Sequence, residues 1–446
     1  MKTRVLLVVC CLSAVGLRAE GPTAFAIKDA RIVTVSGPIL EHGTVLLRDG
    51  LIESVGASIS IPADAWVIEG RGLTVYPGLI DALSTWGLPE AAPAAQGRSG
   101  ATPAPAPTTP AAPSPPQPVA RGPEDRPSNH SWVRAADLVT VSDKRIAAAR
   151  SAGFTTAVIF PTTGIFAGEG AVVDFSGDRA GQMVVASPVG QYLTFTTGGF
   201  ASFPGSLMGV IAYIRQIYLD ADHYRLAREM YQQNPVGLQR PAYDRALEGV
   251  LETPRVLLPA ERAAEIERMV NFAADLKKPA ILYGAHDAAQ ALDSLRKSQI
   301  PLLVSLKWPE RNKEADPDEH EPLRVLELRE RAPAAPAALA KSGVRFAFYS
   351  DNQAKPQDVI KAVKRALVAG LSEQDAVRAF TLSAAEIYGV ADRLGAIEKG
   401  KIANLVITDG PLFQDHTKVK YIFVDGAKYE PVPPEAPAGP RSERTL

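Results

Sequence analysis

The middle of the chain alternates strand-like and helix-like segments, and this alternation limits the choice of fold more than any other feature. Strand-like runs at 155–160, 280–283, 301–305 and 344–349 are separated by helical stretches, among which we predict one helix over 259–276 and one over 372–388. Repeated βα units predict a parallel sheet, and 446 residues can hold a barrel of roughly 250 residues plus a second domain. An open doubly wound sheet would require a glycine-rich phosphate fingerprint after its first strand, which the sequence lacks. We therefore predict an α/β fold with a (β/α)8 TIM-like barrel.

Both ends of the chain are rich in short β-like segments. Residues 24–69 contain three of them, and 395–408 and 419–424 read in the same way. Asp-Gly pairs, at positions 49–50 and 425–426, favour tight turns between such segments. We predict a composite β-sandwich domain built from residues 24–76 and 390–430, a barrel at 77–389, and a flexible tail at 431–446.

The first 19 residues have the pattern of a secretory signal. Lys2 and Arg4 precede an apolar run, and a small residue, Ala19, ends the segment. The two cysteines of the chain, at positions 10 and 11, both fall within this segment, so we expect a mature protein without disulfides. We predict cleavage near Ala19 and a periplasmic or secreted location.

Two classes of partner are excluded by composition. The chain has 48 Lys and Arg residues and 49 Asp and Glu residues, so its formal charge is -1. It therefore lacks the general excess of positive charge that binds nucleic-acid phosphates. The apolar run of the signal segment is too short to span a bilayer, and no later run is long enough. We expect neither a nucleic-acid partner nor a membrane span.

Residues 89–127 interrupt the strand and helix pattern. This segment holds 12 of the 37 prolines and is otherwise rich in alanine and threonine. Such a composition cannot bury enough apolar surface to order itself, so we predict a disordered insert within the barrel. We favour a neutral insertion in a tolerant loop over a partner-binding or lid segment.

The segment 75–87 carries the pattern Pro-Gly-Leu-Ile-Asp at 77–81, followed by Leu83 and Thr85. Side chains at i and i+2 of a strand point to the same side, so both would face one point in a barrel mouth. The segment resembles the first barrel strand of the amidohydrolase superfamily, in which histidines stand at these two positions. Leucine has no lone pair to donate, and a threonine hydroxyl is a poor ligand for zinc.

Three further segments carry the same resemblance, which is to the imidazolonepropionase-like members of that superfamily. They are the hairpin at 45–52, the run 343–351 that ends in Ser350 and Asp351, and the run 394–406, in which Asn404 replaces a usual aspartate. The resemblance implies a (β/α)8 barrel, a composite β-sandwich, and one or two divalent metals, zinc or another, that activate water for hydrolysis of carbon-nitrogen bonds.

The resemblance also implies histidine ligands after the fifth and sixth barrel strands and an aspartate after the eighth. Asp351 matches the aspartate. We match the fifth-strand position to Tyr283, and 301–308 after the sixth strand contains no histidine. Leu83, Thr85 and Tyr283 are therefore degenerate metal positions. Because a zinc site needs at least three protein ligands, we predict no metal and no other cofactor.

Several residues remain candidates for a site. Asp351 is a catalytic base or, as we favour, a structural residue that accepts backbone N–H bonds before a helix beginning near Pro356; an acid-base pair with Asp81 stays open. His286 lies close to the expected mouth, although a loop or helix-cap role is favoured for it. Trp86, Tyr283, His286 and Trp308 are the candidate substrate-binding residues.

Three functions follow from these features. The first is an exported amidohydrolase-family protein with a dismantled metal site, a non-catalytic binding or assembly subunit. The second is a divergent hydrolase that acts on cyclic amides or small peptides through Asp351 and His286. The third is a sugar or peptide binder. Partners would be a small-molecule ligand, a second copy, or an active relative, and whether the chain is an enzyme stays open.

Overall fold

The structure is a computed structural model that describes residues 24–89, 126–197, 203–312, 316, 318, 320–353 and 355–432. The predicted signal segment, nearly all of the 89–127 insert and the tail from 433 onward lie outside the described residues. The strands are β1 (Ala24–Ile32), β2 (Leu40–Arg48), β3 (Leu51–Gly56), β4 (Trp66–Glu69), β5 (Thr74–Pro77), β6 (Leu79–Ser84), β7 (Phe154–Ile159), β8 (Phe166–Glu169), β9 (Ala171–Asp174), β10 (Val184–Ala186), β11 (Gln191–Leu193), β12 (Val256–Ala260), β13 (Ala280–Gly284), β14 (Leu302–Ser305), β15 (Phe346–Tyr349), β16 (Leu405–Thr408), β17 (Val419–Val424) and β18 (Ala427–Tyr429).

The helices lie mostly between the strands of the central region. They are α1 (Lys144–Ser151), α2 (Ala180–Met183), α3 (Leu207–Gln233), α4 (Arg245–Glu252), α5 (Ala263–Leu276), α6 (Leu292–Ser298), α7 (Leu323–Arg331), α8 (Ala335–Ser342), α9 (Pro356–Val368), α10 (Glu373–Ala379) and α11 (Leu382–Tyr388). Within the described part of the chain, no helix combines the length and the apolar composition needed to cross a bilayer.

The two ends of the chain share one sheet. Its order is β18-β17-β16-β5-β1-β2-β3, with β4 beside β1, so strands from the C-terminal segment continue a sheet begun by the N-terminal segment. Strand β5 makes the junction, because it pairs in parallel with β1 and antiparallel with β16. The chain thus has a β-rich domain in which eight strands pair to form one sheet.

The remaining strands form a barrel-type α/β arrangement. Strands β11 to β15 pair in parallel with their neighbours, as do β6 and β7. Between these two groups, β8, Gly170 and β9 follow each other directly, and this stretch pairs antiparallel with β7 on one side and with β11 on the other. The order β6, β7, β9/β8, β11 to β15 therefore has eight members, of which the third runs in reverse.

The first and last members of this order meet through side chains. Asp81 on β6 accepts hydrogen bonds from the backbone N–H of Ser350 (2.8 Å) and from its hydroxyl (2.6 Å), directly after β15. Apolar side chains such as Val158, Leu257 and Ala347 pack together inside the arc of strands. A larger apolar cluster separates the strands from the surrounding helices.

Two expectations about the elements were wrong. A helix predicted to begin at Pro259 instead starts at Ala263, because 256–260 form the buried strand β12. A single helix predicted over 372–388 is two, α10 and α11. Because β12 was missed, the barrel strands were numbered wrongly. Counted from β6, β13, which carries Tyr283, is the sixth strand and β14 is the seventh. The assignment of Tyr283 to the fifth strand is therefore corrected.

Asn404 lies where the β-rich domain meets the barrel. Its amide donates to the hydroxyl of Thr156 (3.1 Å), which in turn donates to the carboxylate of Asp174 (2.7 Å). Its side-chain oxygen accepts from the backbone N–H of Asp425 (2.8 Å). Burial raises the pKa of Asp174 to about 7, partly offset by these hydrogen bonds. An amide at 404 therefore avoids placing a second carboxyl group beside the buried Asp174.

We expect Asn404→Asp to destabilise the protein by about 2 kcal/mol at pH 8, because a second buried carboxylate would face Asp174 without a donor. Urea unfolding followed by circular dichroism measures the loss. The double variant Asn404→Asp with Asp174→Asn restores one amide and one carboxyl, so it should recover most of the stability. Equal losses in the single and double variants would contradict this account.

Candidate active site

The positions at the mouth of the barrel come from the ends of β6, β13 and β15. Leu83 is buried and packs with the apolar side chains inside the arc. Thr85 follows the end of β6 and donates its hydroxyl hydrogen to the side-chain oxygen of Asn352 (3.0 Å). Of the two degenerate first-strand positions, Leu83 thus makes apolar contacts, and the hydroxyl of Thr85 is already hydrogen-bonded to Asn352.

Tyr283 lies near the end of β13, at the mouth of the barrel. Its hydroxyl donates to the carbonyl of Leu193 (3.0 Å), and its ring lies 5.1 Å from that of Tyr192 between centroids. Burial and the neighbouring Tyr192 hold the pKa of Tyr283 well above its usual value. A phenol must lose its proton to bind a cation strongly, so this tyrosine is a poor substitute for an imidazole.

Asp351 is held by a residue from another strand. Its carboxylate accepts a hydrogen bond from the hydroxyl of Ser305 on β14 (2.8 Å). Its φ of 51° is left-handed, as is that of Asn352. The predicted helix after it begins at Pro356, but the hydrogen bond of Asp351 is to Ser305 rather than to the backbone of that turn.

His286 lies beside the same serine. Its Nδ1 is 3.2 Å from a carboxylate oxygen of Glu261, and its Nε2 is 3.2 Å from the carbonyl of Ser305. The hydrogen bond from His286 lowers the pKa of Glu261. With both ring nitrogens engaged, this buried histidine connects β12, β13 and β14 rather than facing solvent.

Neither tryptophan is placed to bind a substrate, which corrects the prediction for both. Trp86 is buried, and its ring meets that of Phe154 edge-on at 5.2 Å. Trp308 is also buried and donates its indole N–H to the carbonyl of Ala362 on α9 (2.8 Å). A core packing role explains both residues, because large aromatic side chains contribute most when their faces are covered.

Asp81 does not form an acid-base pair at the mouth. It is fully buried, and burial raises its pKa to about 6 even though the hydrogen bonds from Ser350 lower it. Both oxygens are used by Ser350, so this carboxyl joins the first and last strands of the barrel.

The cavity enclosed by these residues is small. It measures about 40 Å³ and is lined by Leu83, Thr85, Tyr283, Asp351 and their neighbours. A water molecule needs roughly 10–15 Å³ of such space, so the cavity holds a few waters at most. Among the described residues, no three His, Cys, Asp or Glu side chains come together as a metal-binding group. The donors present do not fit a catalytic divalent metal.

Comparison with known proteins places these observations in a family. Residues 261–429 match the model of the amidohydrolase family. The structure resembles an amidohydrolase from Thermotoga maritima MSB8, with a TM-score of 0.72 and 23% identity over 91% of this chain and 100% of that one. The C-terminal part of the chain thus matches the amidohydrolase family, and the fold as a whole is similar to that of a solved amidohydrolase.

More distant structures share this amidohydrolase fold. Molinate hydrolase aligns with a TM-score of 0.52 at 14% identity, covering 95% of this chain and 99% of its own. A prolidase complexed with N-methylphosphonate-L-proline aligns with a TM-score of 0.52 at 15% identity, covering 92% and 100%. No curated protein matches the sequence. These likenesses show a fold of the TIM-barrel-containing type with a β-rich domain.

A larger groove lies beside the mouth of this amidohydrolase-fold protein. Its volume is about 860 Å³, and it shares Tyr192 and Tyr283 with the small cavity. The remaining wall combines apolar side chains of α3 and α5 with charged ones. No sequence motif marks this groove, because its residues come from four separate segments and only the fold brings them together.

Proposed function

We propose that this amidohydrolase-fold protein is an exported, non-catalytic binding or assembly subunit. The observation that carries the proposal is that each of the four residues matched to a ligand position in the sequence makes a satisfied contact within the fold. Leu83 packs in the barrel interior, Thr85 binds Asn352, Tyr283 binds Leu193, and Asp351 binds Ser305. Such contacts stabilise the fold and leave no set of convergent donors for a metal or its water.

The groove beside the mouth supports a binding role. Pockets for small ligands are mostly apolar with a few polar groups, and this groove has that character, with Tyr192, Phe195 and Ile211 beside Glu265 and Arg268. Both signs of charge next to apolar surface favour a short peptide over a sugar. A peptide ligand is also consistent with the fold's similarity to prolidase, a fold-level analogy.

One observation favours the second candidate, a divergent metal-free hydrolase. Asp351 and His286 both contact Ser305, so the two candidate residues do converge on one amino acid. Against this role, Ser305 is completely buried, and its hydroxyl already donates to Asp351. A nucleophile must reach its substrate, so this convergence supports packing rather than chemistry.

Metal analysis combined with an activity panel tests the proposal. After dialysis, the purified protein should retain far less than one zinc, manganese or iron per chain, and it should not hydrolyse cyclic or acyclic amides. Near-stoichiometric metal would overturn the proposal. So would hydrolysis that disappears in Asp351→Ala but persists in the control Asp358→Ala, which changes an acid of α9 that is outside the site.

The binding role has its own test. We expect Ile211→Trp to fill the groove and abolish calorimetric binding of di- and tripeptides. Val368→Trp adds the same side chain at an exposed position of α9 and should leave binding unchanged. Binding that survives Ile211→Trp would place the ligand elsewhere on the protein.

A further inference from the structure

Helix α3 presents an apolar seam to solvent along most of its length. Its exposed members are Met208 (82% exposed), Leu219 (63%), Leu226 (49%) and Met230 (58%). The opposite face, including Val210, Ile214 and Ile217, is buried against the barrel. At about 1.5 Å per residue the seam is about 33 Å long.

The seam has the spacing of a coiled-coil contact and is symmetric about its centre. Met208, Ala212, Arg215, Leu219, His223, Leu226 and Met230 follow one another at intervals of 4, 3, 4, 4, 3 and 4 residues. Alternating steps of three and four keep side chains on one face of a helix. Because the intervals read the same in both directions, a two-fold axis at Leu219 maps the seam onto itself.

We infer that α3 pairs antiparallel with the α3 of a second copy of this chain, with the two-fold axis at Leu219. In this register Met208 meets Met230 of the partner subunit, and Leu219 meets Leu219 of the partner subunit. The small Ala212 lies opposite Leu226 of the partner subunit, so the two surfaces complement each other in size.

The charges along the seam also favour a second copy of this chain as the partner. Arg215, one of the seven seam positions, and Asp222 are both at least half exposed and lie on the same side of the seam, one on each half of the helix; within their own subunit they pair with Asp275 and Arg225. Rotation about the two-fold axis keeps that side in register, so Arg215 approaches Asp222 of the partner subunit. The symmetric pairing therefore brings two opposite-charge pairs together, while the seam position directly opposite Arg215 is His223 of the partner subunit.

Apolar surface continues beyond the helix. Val236 and Tyr243, in the segment that leads to α4, are largely exposed. Stable dimers bury about 1,200–2,000 Å² in total, more than one helix pair supplies, so this continuation helps the contact reach that range.

The pairing also bears on the groove beside the barrel mouth. Met208, Ile211 and Arg215 line one wall of that groove. In the dimer, Leu226 and Met230 of the partner subunit lie over this wall, so the second copy completes the groove. The inference does not depend on whether the barrel mouth retains catalysis, and it stands or falls by a different measurement.

Light scattering after size exclusion tests the inference on the secreted form of the full chain. We expect the mass of a dimer, and a monomer for Leu219→Glu, which places two carboxylates at the two-fold axis. Val368→Glu introduces the same charge at an exposed position of α9 and should remain a dimer. A monomeric wild type, or a dimer that survives Leu219→Glu, overturns the inference.

Cysteine cross-linking tests the register and does not depend on the folding of a charged variant. The chain has two cysteines, both within the first 19 residues, so introduced thiols are read without background once that segment is removed. Leu219→Cys should form a disulfide dimer under mild oxidation, and Val368→Cys should not. Met208→Cys mixed with Met230→Cys should cross-link as a heterodimer while neither does so alone. Cross-linking of each variant alone would show a parallel contact and refute the antiparallel pairing.

Discussion

Replacing Asp81 by alanine is expected to lower the free energy of unfolding by about 3 kcal/mol at pH 7. The substitution leaves the backbone N–H and the hydroxyl of Ser350 without an acceptor in a fully buried place, and each such loss costs about 1–3 kcal/mol. Urea unfolding followed by circular dichroism measures the change.

Two milder variants serve as controls for Asp81→Ala. Asp81→Asn keeps one side-chain acceptor and removes a carboxyl whose pKa burial has raised to about 6, so it should cost less than about 1 kcal/mol. Ser350→Ala removes the hydroxyl donor alone and should cost about 1 kcal/mol. If Asp81→Ala is as stable as Asp81→Asn, the contact between the first and last strands contributes little.

The protein is expected to lose stability as the pH rises from about 5 to 8. Burial raises the pKa of Glu169 to about 7, although Arg134 opposes the shift, and burial likewise raises the pKa of Asp174 to about 7. A raised pKa means that the folded state binds more protons than the unfolded state between about pH 4 and pH 7, so stability falls as the pH increases through this window. Above about pH 8 the loss should be complete.

Glu169→Gln isolates the contribution of Glu169 to this effect. The side chain of Glu169 is 1% exposed, and Gln191 pairs with it across β8 and β11. An amide has no charge to bury, so we expect the variant to be more stable than the wild type by roughly 3 kcal/mol at pH 8 and about equal to it at pH 4. Thermal melts at the two pH values provide the comparison. Glu252→Gln removes a half-exposed acid that contacts Arg134 and whose charge helps to raise the pKa of Glu169, so it should reduce the pH dependence by a smaller amount than Glu169→Gln.

The sequence predicted those parts of the site that depend on strand periodicity. Leu83 and Thr85 both line the mouth cavity, although Ser84 between them does so as well, because the strand ends there. The tryptophans could not be placed in the same way. Trp86 follows the end of β6 by two residues and turns into the outer core, and nothing in the local sequence distinguishes that path from one toward the mouth.

The missed strand β12 has a specific physical cause. Proline is favoured in the first turn of a helix, and Pro259 precedes a helical pattern, so local chemistry pointed to a helix start. In the structure Pro259 is the fourth residue of a buried strand that pairs with β13. The burial of the Glu169 carboxyl group was equally hidden, because it comes from residues distant in sequence.

The hydrogen bonds between Asp81 and Ser350 join residues that are 269 positions apart in the chain. A contact this distant in sequence forms only after a large loop has been closed, and loop closure of that kind is slow. The ring of strands can therefore close only when its last member has been synthesised and ordered. Until then that edge of β6 has no neighbour, and a free strand edge can associate edge-to-edge with another chain.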